Sequence, residues 1–440
     1  MKQAAAPAVL DRLESNNSME IKDLYQLFLK STGVNTDTRT IRQGQMFIAL
    51  KGENFDGNTF ALKALEAGAV CAVVNDAIEE DDPRLVKVKD TLATLQELAA
   101  YHRKQFDIPV IGLTGTNGKT TTKELIRAVL SSKYQVLATE GNLNNDIGVP
   151  LTVLRLNPAI EIAIVEMGAS HPEDLKPLLA VAQPTHGLIT NVGKAHLLGF
   201  GSFEGVKHAK GLLYDYLKEH GGIAFANADD ATLQGMLWDR GLAMIPYGMD
   251  GVEIMPSSAE QPFLRLKMAE GELDTSLVGA YNSANVMAAL KLGWFFGVER
   301  EEAWKAVSSY VPSNNRSQLL KTEKNTVIID AYNANPSSMA VALDNLSRCD
   351  GRKVALLGDM RELGADSATE HKRIVDERLN GIEAFLVGEE FAKAAAGSGI
   401  PAFSTSDDLA AYLKENQIIG ATVLVKGSRG VRMEKVIASL

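Results

Sequence analysis

The sequence predicts an α/β protein in three parts: a small N-terminal α/β unit, a central parallel sheet covered by helices, and a second, smaller parallel α/β unit. Three observations support this. A chain of 440 residues exceeds one ordinary domain, which runs to about one to two hundred residues. From Ile108 onward, runs that are apolar throughout alternate with amphipathic helical stretches, as expected for parallel strands buried on both faces. A glycine-rich turn, Gly112 to Thr122, sits between a strong strand and a strong helix. Ligands in such folds bind beyond the carboxyl ends of the strands.

Taken in order, residues 1–18 end in the polar Ser15-Asn16-Asn17-Ser18 and read as a loosely held extension. Residues 19–107 carry a helix over Glu20 to Lys30, a strand within Gln45 to Leu50 and a helix over Thr59 to Glu66. Residues 108–311 give the strand Pro109 to Leu113 and a helix through Leu125, Val129 and Leu130. They continue with the strand Ile160 to Val165, a helix through Leu175, Leu178 and Leu179, and the strand Gly187 to Thr190. Residues 312–440 offer strands at Val327 to Ile329, Val354 to Leu357, Ala384 to Val387 and Val423 to Val425.

Composition narrows the function. Hydrophobic residues at 45% and charged residues at 23% describe an ordinary folded protein. Lys+Arg 45 against Asp+Glu 55 leaves a net charge of −10, which excludes general affinity for nucleic acid or an anionic membrane. No apolar run reaches the roughly 18 residues of a membrane span, so neither export nor insertion is expected. Cys71 and Cys349 stand too far apart in sequence for a disulfide framework. They read as buried small hydrophobes in a reducing cytoplasm.

The glycine-rich turn carries the chemistry. In Gly115-Thr116-Asn117-Gly118-Lys119-Thr120-Thr121 the glycines let backbone N–H groups face phosphate oxygens, and the helix start adds partial positive charge. Lys119 can reach the outer phosphates, and a following hydroxyl can bind Mg²⁺. Leu113 replaces the first glycine of the strict phosphate-loop pattern, so the loop is a variant. ATP or GTP binding follows, and no Asn-Lys-x-Asp segment of a GTPase is present. Glu166 and His196 follow later strands of the same part and could project at the same sheet edge. Position alone also allows a helix-cap carboxylate and a hydrogen-bonded loop histidine, and Mg²⁺ prefers oxygen over imidazole.

These segments resemble the Mur ligases of peptidoglycan synthesis. The likeness lies in Gly115 to Thr121, Glu166-Met167-Gly168, Asn191 to His196 and Ala209-Lys210. It extends through Asp37-Thr38-Arg39, Thr139 to Pro150, Asp330 to Pro336, Leu357 to Gly364 and Lys426 to Gly430. The resemblance implies an N-terminal domain for a uridine nucleotide, a central ATPase domain and a mobile, Rossmann-like C-terminal domain. It implies that Lys119 holds the β- and γ-phosphates, that Thr120 and Glu166 bind one Mg²⁺, and that His196 helps bind a second. It further implies that Lys210 carries CO₂ as a carbamate, where the plain reading is a surface lysine. Asn282 and Asn285 would lie near the adenine, and Arg316, Asp330 and Asn333 would bring the C-terminal domain onto ATP. Spacing alone reads Arg316 and Asp330 as an interdomain ion pair. Asp37, Thr38, Arg39 and Gly52 would meet the uridine nucleotide, and Asn144 and Asn145 the sugar and peptide.

Within the family, Asp330 to Pro336 and Leu357 to Gly364 resemble members that join D-alanyl-D-alanine to UDP-N-acetylmuramoyl tripeptide through an acyl phosphate. A cytoplasmic monomer is expected. Three positions depart from the family: Thr38 where serine is common, Asn58 where histidine is common, and Tyr281 where histidine is frequent. One alternative is the ligase that adds lysine or diaminopimelate as the third residue. Its diaminopimelate-selecting Asp-Asn-Pro-Arg segment is absent from residues 312–440. Folylpolyglutamate synthetase has no reason to carry residues 19–107. A phosphate-loop switch that makes no amide bonds is the rival from another class.

Overall fold

The computed structural model describes residues 19–75, 82–256, 258, 261–313 and 315–440. The extension expected over residues 1–18 lies outside them. The chain packs as two compact units. One holds the described residues up to Gly112 with Gln135–Gly168 and Asp174–His186; the other holds Leu113–Tyr134, Ala169–Glu173 and Gly187–Leu440.

In the first unit, β1 (Val34–Asn35), β2 (Met46–Ile48), β5 (Cys71–Asn75) and β6 (Leu85–Val88) form a parallel sheet in that order. A two-residue antiparallel ladder joins β3 (Lys51–Gly52) to β4 (Phe55–Asp56). Phe47, Ala49, Ala72 and Val74 pack on Ala61, Ala64 and Leu65 of the helix Ala61–Glu66. The helix Ile21–Lys30 buries Leu24, Tyr25 and Phe28, one stripe at helical spacing. Asp90 caps the helix Thr91–Arg103 by accepting from the Ala93 N–H at 2.9 Å. From that helix, His102 joins the Tyr25 hydroxyl at its Nδ1 (3.1 Å) to the Leu156 carbonyl at its Nε2 (3.0 Å). A carbonyl only accepts, so Nε2 donates to Leu156, and burial lowers the His102 pKa.

The central sheet contains β7 (Val110–Thr114), β8 (Val136–Ala138), β9 (Ile162–Glu166), β10 (His186–Ile189), β11 (Ile223–Asn227) and β12 (Met244–Tyr247), in the order β12-β11-β10-β7-β9-β8. Every residue of β7 and β9 is buried, which explains their unbroken apolar character. β13 (Glu253–Ile254), β14 (Phe263–Met268) and β15 (Gly271–Val278) form an antiparallel sheet that the sequence reading missed. Its strands alternate buried and exposed residues, a weaker signal than a solid apolar run.

The last sheet contains β16 (Gln318–Lys321), β17 (Thr326–Asp330), β18 (Arg352–Gly358), β19 (Glu383–Val387), β20 (Ala402–Phe403) and β21 (Ala421–Lys426), in the order β16-β17-β21-β18-β19-β20. Val327, Ile329, Val354, Leu356, Val423 and Val425 enter one core, while Ile328, Ala355, Leu357 and Leu424 enter the other. Alternate side chains therefore serve opposite faces, and full burial of each large one contributes about 1.5–3 kcal/mol. The sheet has six strands. One expectation needs correction: it is not wholly parallel, because β16 runs antiparallel to β17 with Gln318 opposite Ile329. β16 is half-exposed to exposed throughout, so no apolar run announces it.

Among the described residues, no helix is long and apolar enough to cross a membrane. Both cysteines are free, and burial pushes the Cys71 thiol up to about 12.

Candidate active site

The phosphate loop leaves β7 at Thr114 and enters the helix Lys119–Leu130, with Gly118 at the N-cap. Gly115 (φ +143°) and Gly118 (φ +78°) take backbone angles that L side chains rarely adopt. A Cβ on Gly115 would lie 2.0 Å from Thr190 Oγ1, and one on Gly118 would lie 2.8 Å from Asn285 Oδ1. The loop is built against the turn that follows β10. The Thr116 N–H donates to the Asn191 carbonyl and the Asn117 N–H to Asn191 Oδ1, each at 3.0 Å. The Asn117 carbonyl accepts from Thr190 Oγ1 at 2.6 Å and Asn191 Nδ2 at 3.0 Å.

These bonds refine the sequence expectation. The amides of Thr116 and Asn117 hold the loop in shape, and the helix start that follows adds the partial positive charge that suits a phosphate. Lys119 arches back so that its Nζ donates to the carbonyls of Gly115 (2.8 Å) and Thr116 (3.1 Å). Gly115→Ala should raise the KM for ATP by about tenfold or more, equal to about 1.4 kcal/mol of binding. Steady-state titration with ATP checks this, and an unchanged KM would mean that Thr190 gives way.

Asn282 and Asn285 are buried behind the loop. Thr122 Oγ1 donates to Asn285 Oδ1 (2.9 Å), Asn285 Nδ2 to Asn282 Oδ1 (2.9 Å), and Asn282 Nδ2 to the Val278 carbonyl (2.8 Å). The pair therefore anchors the phosphate helix to the end of β15. Beside it, Tyr281 bonds Ser317 at 2.9 Å.

Glu166 ends β9 and is 1% exposed. Its N–H donates to Thr139 Oγ1 (3.0 Å), and its Oε1 accepts from Asn144 Nδ2 (2.8 Å). The Asn144 amide thus orients the carboxylate, and Asn145 Oδ1 caps the helix Gly148–Val153 by accepting from the Gly148 N–H at 2.9 Å.

Lys210 lies in the middle of the helix Phe203–Glu219 and is only 2% exposed, which overturns the surface-lysine reading. Its Nζ donates to the Ala169 carbonyl at 3.3 Å and stands 5.4 Å from the centre of the Phe200 ring. A buried lysine costs free energy unless its surroundings compensate, and the Ala169 carbonyl and the Phe200 ring do so in part here.

His196 has a left-handed backbone (φ 50°), and its Nδ1 pairs with Glu362. That hydrogen bond holds the Glu362 carboxyl below its ordinary range. With Nδ1 engaged, Nε2 is the ring atom left for a ligand. Nearby, Lys194 Nζ meets Glu370 at 2.9 Å.

Asp330 is ion-paired with Lys426 at 2.5 Å, and the same ammonium reaches the Asn333 carbonyl at 3.2 Å. Arg316 lies over the Tyr332 ring at 3.7 Å. The ion pair expected between Arg316 and Asp330 is therefore replaced by these two contacts. Lys426 is 1% exposed, and a buried ammonium takes the nearest carboxylate. Asn333 turns its own side chain onto the Ala334 N–H at 2.9 Å.

The residues expected to meet a uridine nucleotide lie on the first unit. Arg39 holds Asp37 through Nε (2.9 Å) and Nη2 (2.7 Å), and this hydrogen bonding lowers the Asp37 carboxyl to about 2. Thr38 is half-buried between them, and Gly52 pairs with Phe55 in the short ladder. Asn58 Oδ1 accepts from the Asn75 N–H at 2.8 Å, which gives it a structural task.

Sequence reasoning missed Asn335, whose Nδ2 donates to Asn117 Oδ1 at 2.8 Å. The Asn335-Pro336 pair is a helix-start signature and announces the cap, though not this contact. A cavity of about 900 Å³ opens at the carboxyl edge of β18 and β19, lined among others by Asp359, Arg361, Glu362, Ser367 and Glu390. Among the described residues, no group of three or more His, Cys, Asp or Glu side chains is placed to hold a metal. The expected set contains only two of those types, Glu166 and His196.

A variant phosphate loop that leaves a buried strand and opens a helix defines a nucleotide-dependent enzyme of the phosphate-loop class. The chain matches the Mur ligase family catalytic domain over residues 30–103, the Mur ligase middle domain over 113–293 and the Mur ligase glutamate ligase domain over 315–429. It is 37% identical over 430 residues to the UDP-N-acetylmuramoyl-tripeptide–D-alanyl-D-alanine ligase of Bacillus subtilis (strain 168), covering 93% of each chain. The crystal structure of MurF from Acinetobacter baumannii superposes with a TM-score of 0.84 at 29% identity, over 96% of this chain and 99% of that one. MurF ligase from Thermotoga maritima in complex with ADP gives 0.81 at 27% identity, over 94% and 97%. The chain belongs to the Mur ligase family.

Proposed function

We propose that the protein is an ATP-dependent amide ligase that joins D-alanyl-D-alanine to the terminal carboxylate of UDP-N-acetylmuramoyl tripeptide in peptidoglycan precursor synthesis. The end-to-end likeness to a ligase of that name, 37% identity over 93% of both chains, carries the reading. Residues 19–107 bind the uridine nucleotide through Asp37, Thr38, Arg39 and Gly52, residues 108–311 bind ATP, and residues 312–440 receive the incoming amine. The enzyme acts as a cytoplasmic monomer.

The tripeptide carboxylate attacks the γ-phosphorus of ATP, ADP leaves, and an acyl phosphate forms. The uncharged amine of the dipeptide attacks that carbonyl, phosphate leaves, and the nitrogen loses a proton to give the amide. Lys119 and the first-turn amides of its helix oppose the negative charge on the transferred group. Thr120 offers a hydroxyl and Glu166 a carboxylate held by Asn144, both oxygen donors of the kind Mg²⁺ takes. Bound Mg²⁺, two ions in this reading, supplies further charge neutralisation on the phosphoryl group. The Lys210 amine, on adding CO₂ with loss of a proton, would become a carbamate and supply oxygen donors of the kind a divalent cation takes. His196 keeps Nε2 for the second ion. In the cavity, Arg361 suits the dipeptide carboxylate, and Glu362 and Glu390 suit its ammonium. Asp359 instead holds the cavity floor by accepting from the Glu390 and Phe391 N–H groups.

Phosphate release measured with each substrate omitted in turn tests the function. Release should require ATP, the tripeptide nucleotide and the dipeptide together. Brisk hydrolysis indifferent to both acceptors would favour the switch instead.

A further inference from the structure

We infer that Asn335 is a positioning residue for phosphoryl transfer, acting through Asn117 of the phosphate loop. Its side chain has two ends with separate tasks. Asn335 Oδ1 accepts from the Ser338 N–H at 2.9 Å, and the Asn335 N–H donates to Ser338 Oγ at 3.1 Å. Together these close a capping box on the helix Pro336–Ser347. The other end, Nδ2, donates to Asn117 Oδ1 at 2.8 Å.

Asn117 is the residue before the Gly118 turn that aims the phosphate helix. Its N–H and carbonyl are fixed by Thr190 and Asn191, and Asn335 fixes its side chain. Two positions further on, in the same helix, Ser337 Oγ stands 3.0 Å from where a Cβ on Gly193 would lie. The Gly193 N–H in turn donates to Thr116 Oγ1 at 2.9 Å. The helix start therefore bonds Asn117 directly and lies close to Gly193, the residue that holds Thr116. A capping residue needs only its oxygen, so an amide whose nitrogen reaches the loop does more than cap. Catalysis by positioning is sensitive to small displacements of the reacting groups. Loss of this brace is therefore expected to lower kcat more than it raises the KM for ATP.

Asn335→Ser separates the two tasks, because serine caps a helix about as well but is too short to replace the amide at Asn117. The experiment is a double-mutant cycle of Asn335→Ser and Asn117→Ala, read as kcat and KM for ATP, with melting temperature as the folding control. Asn335→Ser should lower kcat about three- to tenfold, the effect of one lost hydrogen bond, at a nearly unchanged melting temperature. The double variant should be no slower than Asn117→Ala alone. Wild-type kcat in Asn335→Ser, or losses that multiply in the double variant, would overturn the inference. So would a loss that tracks a fall in melting temperature. Should Asn335→Ser fold poorly, Asn335→Asp, an equally good cap without the donor, enters the same cycle. The inference rests on the ligase reading for its assay. Failure of that reading appears as no coupled phosphate release from the wild type, whereas failure of the inference leaves the wild type active.

Discussion

Lys210→Ala is expected to lose ligase activity by about 10²–10³-fold and to regain part of it when acetate or formate is added. The scale is that of removing one preorganised charge-stabilising group from an active site. The lysine is 2% exposed in the middle of a long helix, so a short acid can enter the space its side chain leaves and present a carboxylate there. A fold defect would not respond to small acids in this way. The companion measurement is ¹³C NMR of the wild type in labelled bicarbonate, which should show one carbamate carbonyl that Lys210→Ala lacks. No rescue together with no such resonance would return Lys210 to a structural role.

Lys119→Ala should be the second severe variant. Its Nζ bonds the carbonyls of Gly115 and Thr116, so the change removes a phosphate-directed cation and also loosens the loop that presents the helix start. We expect kcat to fall about 10²–10³-fold and ATP affinity to fall at least about tenfold by calorimetry, with the far-UV circular dichroism unchanged. Lys119→Arg should not restore activity, since a planar fork cannot repeat the contacts of a compact ammonium with two adjacent carbonyls. ATP binding at wild-type strength in Lys119→Ala would place the triphosphate elsewhere.

Legibility in the sequence depended on how local each signal was. The strand, glycine turn and helix from Val110 to Leu130 were readable because apolar period, positive-φ glycines and helix start all fall within one short segment. Glu166 was placed at a strand end because the burial of β9 makes the strand unmistakable. Burial of a polar side chain is not local, so Lys210 read as a surface lysine until the helix was seen packed. Partner choice among charges is no more local. Asp330 takes Lys426, 96 residues away in the chain, over Arg316. The bridge from Asn335 to Asn117 spans 218 residues, and no spacing rule reaches that far. β14 and β15 carry alternation in place of a continuous apolar run, and β16 is half-exposed to exposed throughout, so none of the three has a strong local signal.

The close fit of Gly115 to Thr190 restricts which sequences this enzyme can adopt. The threonine hydroxyl lies where a side chain on Gly115 would begin, and it also fastens the Asn117 carbonyl at 2.6 Å. Drift at either site is restrained while the other stays as it is: a larger residue at 115 collides, and one without the hydroxyl at 190 leaves the carbonyl to Asn191 Nδ2 alone. Viable change here must come as correlated replacements, so the two positions behave as one heritable character.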